Sequence, residues 1–111
     1  MTKWTADDEF LFTSNLGFVD HVVVPPRSSV GYHRHDALEE CQIFISGEAL
    51  MKVDGEVVEV SKGDCVPGRP GGAHGLINHT DAPAEFVAIG VCVNKGEIDF
   101  TNLEDDLRDL L

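Results

Sequence analysis

The stretch GYHRHDALEECQIFISG, residues 31–47, holds most of what the chain says about its fold and its chemistry. Its second half, Cys41 to Ile45, is a strongly apolar strand closed by Ser46-Gly47. Side chains alternate between faces along an extended chain. Glu40, Gln42 and Phe44 therefore share one face of that strand, while Glu39, Cys41 and Ile43 share the other. If the first half is extended as well, His33 and His35 project the same way. A third imidazole, His74, stands far along the chain and opens another strand, with Leu76 and Asn78 on its face. Two imidazoles side by side, a carboxylate from Glu39 or Glu40 and a remote third imidazole form a ready ligand set for one divalent metal. Such a set leaves about two positions open on a six-coordinate ion. Open positions are what a catalytic metal requires and a purely structural one does not.

Outward from this stretch the dominant local period is two. Phe18 to Val24 reads as a strand halted by Pro25-Pro26. Ala49 to Val53 and Glu56 to Val60 flank Asp54-Gly55, which predicts a hairpin with a type I′ turn and positive φ at both central residues. Ser61 to Asp64 is a further turn, Cys65 reads as part of a turn, and Gly75 to Asn78 is a short strand before the turn at Asp81-Ala82-Pro83. Ala84 to Val93 is a long β-branched run, apolar on both faces, expected at the centre of a sheet rather than its edge. Many short strands joined by Gly/Pro turns imply an all-β sandwich or barrel. The tail over 101–111 differs. Leu103, Leu107, Leu110 and Leu111 fall at helical spacing, with Thr101 or Asn102 available as an N-cap and acidic residues in the first turn. These signals predict a short amphipathic helix over 102–111, packed on the barrel or on a second subunit.

With 111 residues the chain has room for one core and not two. Hydrophobic residues make up 42%, which argues against disorder. A net charge of -12 disfavours nucleic acid and anionic membrane as partners. Part of it sits in acidic clusters at Asp7, Asp8 and Glu9 and at Glu104, Asp105, Asp106 and Asp109, read as solvated ends. No apolar run approaches the ~20 residues needed to cross a bilayer, and no charged-then-apolar leader opens the chain, so the expected setting is cytoplasmic. Cys41, Cys65 and Cys92 are sparse and odd in number, with no Cys-x-x-Cys pair, and are expected as buried free thiols. No Gly-x-Ser-x-Gly elbow, phosphate loop or dinucleotide fingerprint appears.

In the order and spacing of its candidate ligands the chain resembles a small single-domain cupin. The first motif of that family is Gly-x5-His-x-His-x3–4-Glu-x6-Gly, and His33, His35, Glu40 and Gly47 match it. The spacing to Gly47 selects Glu40 over Glu39, in agreement with strand parity. The opening glycine of the motif falls at Arg27, a departure. The second motif is Gly-x5-Pro-x-Gly-x2-His-x3-Asn; Gly63, Gly71, His74 and Asn78 match, while Arg69 stands at the proline position with Pro70 beside it. Both departures lie in turns rather than at ligands. The match spans roughly residues 18–93, after an N-terminal arm over 1–17.

This resemblance implies a double-stranded β-helix, a jelly-roll barrel, often dimeric, with one divalent transition metal inside: Mn, Fe, Ni or Zn. By carry-over the ligands are His33, His35, Glu40 and His74. It implies decarboxylase, isomerase, lyase or dioxygenase chemistry on a small polar or acidic substrate, or else a non-catalytic module that binds a sugar or organic acid. Independently, burying three histidines and a glutamate together without an ion is costly, because unpaired polar groups lose their solvation.

Around these positions, Glu40 is a candidate proton carrier, and Gln42 is a candidate to hydrogen-bond a substrate or a metal-bound water. Phe44 and Met51 are candidates for an apolar wall or for plain core. Arg69 offers either a clamp for an acidic ligand or a surface ion pair. Tyr32 and Arg34 should face away from the ligands, and His21 and His79 fall outside both motifs. Asn78-His79-Thr80 is a glycosylation sequon of no meaning without a secretion signal. A two-fold homodimer exchanging N-terminal segments, with Trp4, Phe10, Leu11 and Phe12, would cover apolar outer faces.

Overall fold

A computed structural model describes residues 2–5, 13–104 and 107. Its strands run β1 (Thr2–Thr5), β2 (Leu16–Val24), β3 (Ser29–Arg34), β4 (Leu38–Ser46), β5 (Glu48–Val53), β6 (Glu56–Ser61), β7 (Cys65–Gly68), β8 (Ala73–Ile77), β9 (Ala84–Cys92) and β10 (Thr101–Glu104). They form two five-stranded antiparallel sheets, ordered β1-β2-β9-β4-β7 and β10-β3-β8-β5-β6. This is the all-β jelly-roll architecture that the resemblance implies. No helix among the described residues is long and apolar enough to cross a membrane.

Alternation along each strand builds the interior. On β4, Leu38, Glu40, Gln42 and Phe44 are buried between more exposed neighbours, and on β9 Ala84, Phe86, Ala88 and Cys92 do the same. Val22, Val24, Phe44, Ala84, Phe86 and Ala88 from one sheet meet Ala49, Met51, Val60 and Leu76 from the other in a single apolar cluster. Phe44 lies directly opposite Phe86 in the β4–β9 register, with ring centroids 5.3 Å apart. Both Phe44 and Met51 are 1% exposed, so they serve as core rather than as walls of an open pocket. As expected of its two apolar faces, β9 is the central strand of its sheet.

The turns follow their residues. Asp54 and Gly55 have φ of 48° and 87°, the two positive values that a type I′ hairpin needs. Gly47 also has positive φ, and a Cβ there would collide with the Pro83 carbonyl, so the turn that ends β4 admits only glycine. Arg27, at the motif's glycine position, adopts φ 59° regardless. Its guanidinium Nε is 3.0 Å from Asp81 Oδ1, which anchors the side chain of a residue held in a conformation that L residues disfavour.

Three expectations are corrected. The predicted tail helix does not begin at 102: Thr101–Glu104 is strand β10, antiparallel to β3. Without β10, strand β3 would be a bare sheet edge, and pairing there wins over a ten-residue helix that is marginal alone. Leu107 is buried but not helical, no helix occurs among the described residues, and 105–106 and 108–111 lie outside them. Cys65 is not in a turn but opens β7, opposite Ile43. That strand is short, sits at an edge and contains Pro67, a composition tolerated only where one side needs no ladder bond. The thiols are not all buried: Cys92 is, Cys41 is half-buried and Cys65 is exposed. At the N-terminus β1 pairs with β2 of its own sheet. The Trp4 side chain, Phe10 to Phe12 and the acidic residues Asp7, Asp8 and Glu9 lie outside the described residues.

Candidate metal centre

His33 and His74 face each other across the β3–β8 pairing as direct register partners. His35 follows one residue beyond the end of β3, and Glu40 comes from the inner face of β4 in the opposite sheet. The fold therefore brings together all four residues that the sequence singles out. One ligand atom from each of His33, His35, Glu40 and His74 lies within 4.8 Å of every other. His35, Glu40 and His74 are buried and His33 is half-buried. Ring centroids are 4.8 Å apart for His33–His35 and 4.6 Å for His33–His74. Glu40 Oε2 is 3.5 Å from His35 Nε2 and 3.4 Å from His74 Nε2.

Hydrogen bonds at the back of the rings decide their tautomers. His33 Nδ1 donates to the Gly31 carbonyl at 2.9 Å, and His35 Nδ1 donates to the Asp99 carbonyl. A carbonyl only accepts, so in both neutral rings the proton sits on Nδ1 and Nε2 carries a bare lone pair. This arrangement is the one that orients a metal-binding imidazole. Buried His74 Nε2 has no hydrogen-bond partner. Gln42, itself buried, donates from Nε2 to Glu40 Oε1 at 3.0 Å, leaving Oε2 for the histidine side.

The charges are tuned in the same direction. Burial holds the His33 pKa below its ordinary 6.5, aided by His74 and His35 and opposed by the Gly31 bond and Glu40. Burial alone would raise the Glu40 carboxyl, but the neighbouring His74, His35 and His33 rings outweigh it and the pKa lies below its ordinary value. Neutral imidazoles beside an ionised carboxylate are the protonation states that a cation needs. The orphaned His74 Nε2 and three nitrogens with one oxygen fit a borderline transition metal, and the residues present can hold one.

The surroundings sort the remaining candidates. Gly71 N donates to the His35 carbonyl at 2.7 Å, fastening the β7–β8 turn to the first ligand segment. Arg69 is exposed in that turn, its carbonyl accepting from Gly72 N. Tyr32 points elsewhere, its hydroxyl accepting from Gly55 N at 3.1 Å, and Arg34 pairs with Asp36. His21 pairs with Glu85 at 3.0 Å, and His79 lines a separate surface cleft with Glu48 and Glu59. Asn78 is fully buried, donating to the Val24 and Ala82 carbonyls, so its part in the motif is structural.

Two features escape a sequence reading. Asp20 is 3% exposed on the inner face of β2, in the same cross-strand row as Ala88 and Gln42, a second carboxylate inside the barrel. Its one signal is an acid amid the apolar run LGFVDHVVV. The segment before β10 straps the mouth of the site. Asp99 accepts from the Asp36 and Ala37 backbone N–H groups, which lower its pKa, and the Phe100 ring stacks on His33 at 4.8 Å while staying 63% exposed. Nothing local marks Asp99 or Phe100, because their partners lie more than sixty positions away.

Comparison with known proteins follows the same lines. Residues 20–90 match the family model of the cupin domain. The oxalate-binding protein of Thermotoga maritima is 32% identical over 66 residues, covering 60% of this chain. The match spans 54% of that relative, about half its length. A predicted oxalate decarboxylase from Thermotoga maritima, known as a crystal structure, superposes with a TM-score of 0.69 at 27% identity, covering 70% of this chain and 68% of the other. A double-stranded β-helix protein of unknown function from Klebsiella pneumoniae gives a TM-score of 0.72 at 26% identity, over 85% and 80% of the two chains.

Proposed function

The chain belongs to the cupin family, and from that premise we propose that it holds one divalent transition metal on His33, His35, Glu40 and His74 and binds a small carboxylic acid there. The observation that carries the reading is the convergence of three imidazoles and one carboxylate within 4.8 Å. Two of the three have their proton held on the far nitrogen by backbone carbonyls. A metal of this kind, whether Mn, Fe, Ni or Zn, supplies a Lewis acid that polarises a bound carboxylate.

The likeness to an oxalate-binding protein and to a predicted oxalate decarboxylase supports a dicarboxylate as the ligand class. Of the chemistries open to this ligand set, decarboxylation is the one that likeness favours over isomerase, lyase or dioxygenase reactions. In that reading Glu40 and Gln42 are the catalytic pair among the chain's own residues. Gln42 fixes one carboxylate oxygen of Glu40, and Glu40 would move a proton only on leaving the metal. Phe100, stacked on His33 and largely exposed, forms an apolar rim at the mouth and restricts water. A second reading, binding of an organic acid without turnover, is favoured by the oxalate-binding relative.

The test is metal analysis of natively purified protein, followed by calorimetric titration with oxalate and assay of carbon dioxide release. About one equivalent of metal with oxalate binding and release supports decarboxylation. Binding without release selects the second reading, and no metal uptake by the wild-type chain sinks both. We further propose a homodimer formed around Val91 and Val93 at the end of β9, 37% and 54% exposed, where Val91 lies opposite Glu39 rather than beside Ile43 and Cys65. A single-chain mass in light scattering at micromolar concentration would remove it.

A further inference from the structure

We propose that Cys41 and Cys65 form a redox-sensitive dithiol on the outer face of the barrel, which a peroxide closes to a cross-strand disulfide. Cys41 points away from the metal centre, because its neighbours Glu40 and Gln42 point in. Register places Cys41 opposite Pro67 and Ile43 opposite Cys65, so the two cysteines are diagonal neighbours on adjacent antiparallel strands. Such diagonals lie within side-chain reach. Here the two Sγ atoms are 2.9 Å apart, within about 1 Å of the ~2.05 Å disulfide bond. The remaining approach is easy to supply. Strand β7 is four residues long at the edge of its sheet, so it can shift without disturbing a second neighbour. Cys65 is exposed and meets an oxidant first, with half-buried Cys41 behind it. Cys92 is buried, its Sγ 2.8 Å from where a Cβ on Gly17 would stand, so it belongs to a different part of the molecule.

The reaction balances with hydrogen peroxide as the oxidant. The Cys65 sulfur takes one oxygen atom, forming a sulfenic acid and releasing the other oxygen as water. The Cys41 sulfur then attacks that sulfur, forming the S–S bond and expelling a second water. The two thiols together give up two protons and two electrons, and the peroxide takes them up as it becomes two waters. A dithiol reductant reverses the step by exchange. The resulting tie joins β4 to β7 beside the pairing of Glu40 with Gly68, and a Cβ on Gly68 would stand 3.0 Å from His74 Nδ1. Oxidation thus fastens the two strands that back the metal centre.

The experiment treats the full chain with hydrogen peroxide under native conditions, alkylates it in denaturant and weighs it by mass spectrometry. Alkylatable thiols should fall from the three present to a single one. The chain should lose the mass of two hydrogens, and digestion should release a linked Cys41–Cys65 peptide that a dithiol reductant separates. Cys92→Ser should close the same link, whereas Cys65→Ser should leave Cys41 alkylatable. The wild-type result needs no variant to fold. Cys65 accumulating as sulfinic acid beside an alkylatable Cys41 would overturn the proposal, as would links only between chains or to Cys92.

Discussion

Strand β4 enters the barrel twice, with opposite chemistry. At one end its inward residues are Glu40 and Gln42; at the other, Phe44 sits against Phe86 within the apolar cluster. The apolar end is held by area removed from water, about 1.5–3 kcal/mol for a fully buried large side chain. The polar end loses solvation instead, and offsets part of that loss through Gln42, the Gly31 and Asp99 carbonyls and mutual contacts. His74 Nε2 is left over. One strand thus builds the fold with one half and a demand for a cation with the other.

This contrast can be broken from either side. The largest effect is expected at the apolar end, where Phe44→Ala should cost about 3–5 kcal/mol of stability, read as a lowered denaturation midpoint. Metal stoichiometry of the folded fraction should be unchanged. Glu40→Gln should do the reverse, lowering the midpoint of the metal-free chain far less than Phe44→Ala does. It should weaken metal binding by at least the ~10–100-fold that loss of an outer-shell partner costs, measured by competition with a chelator.

Acid sharpens the contrast further. The folded pKa of His33 is depressed below 6.5, so the unfolded chain takes up the proton first as pH falls. Stability from this group is full above the unfolded value and is lost as pH drops through the window beneath it. Glu40, also depressed, contributes above its ordinary 4.5 and loses that contribution as pH falls through its folded value. Both signs agree: the metal-free protein should melt at lower temperature as pH is taken from 7 to 5, and metal affinity should fall alongside. A melting temperature flat across that range would contradict the burial of His33.

The smallest effect should come from Arg27→Gly. It relieves a left-handed φ, roughly 1–2 kcal/mol, but loosens the unfolded chain and removes an exposed ion pair to Asp81. A net change within about 1 kcal/mol is expected, checked by chemical denaturation.

Much of the site was legible because its signals are local. Alternation put Glu40 and Glu39 on opposite faces of β4 and the motif spacing to Gly47 selected Glu40; the structure buries the first and exposes the second. Asp54-Gly55 declared its turn through the conformations those residues tolerate. Elements defined by a distant partner were not legible. Strand β10 exists because β3 offers an open edge, β7 because β4 does, and Asp99 and Phe100 matter only where His33 and His35 end up. The leucine spacing of the tail was a true local preference overridden by pairing over Thr101–Glu104.

Alternation and turn chemistry by themselves determined an all-β sandwich or barrel with His33 and His35 on one face, since each depends only on neighbouring residues, while the set His33, His35, Glu40 and His74 came from the order and spacing of the two cupin motifs. Tertiary structure alone decided which edges paired, which nitrogen of His33 and His35 carries the proton, that Asp20 is interior and that Cys41 meets Cys65. The physical reason is that side-chain direction is set by the pleat of a single strand, whereas contact between remote segments is set by competition among all the edges and faces left unpaired when the sheets close.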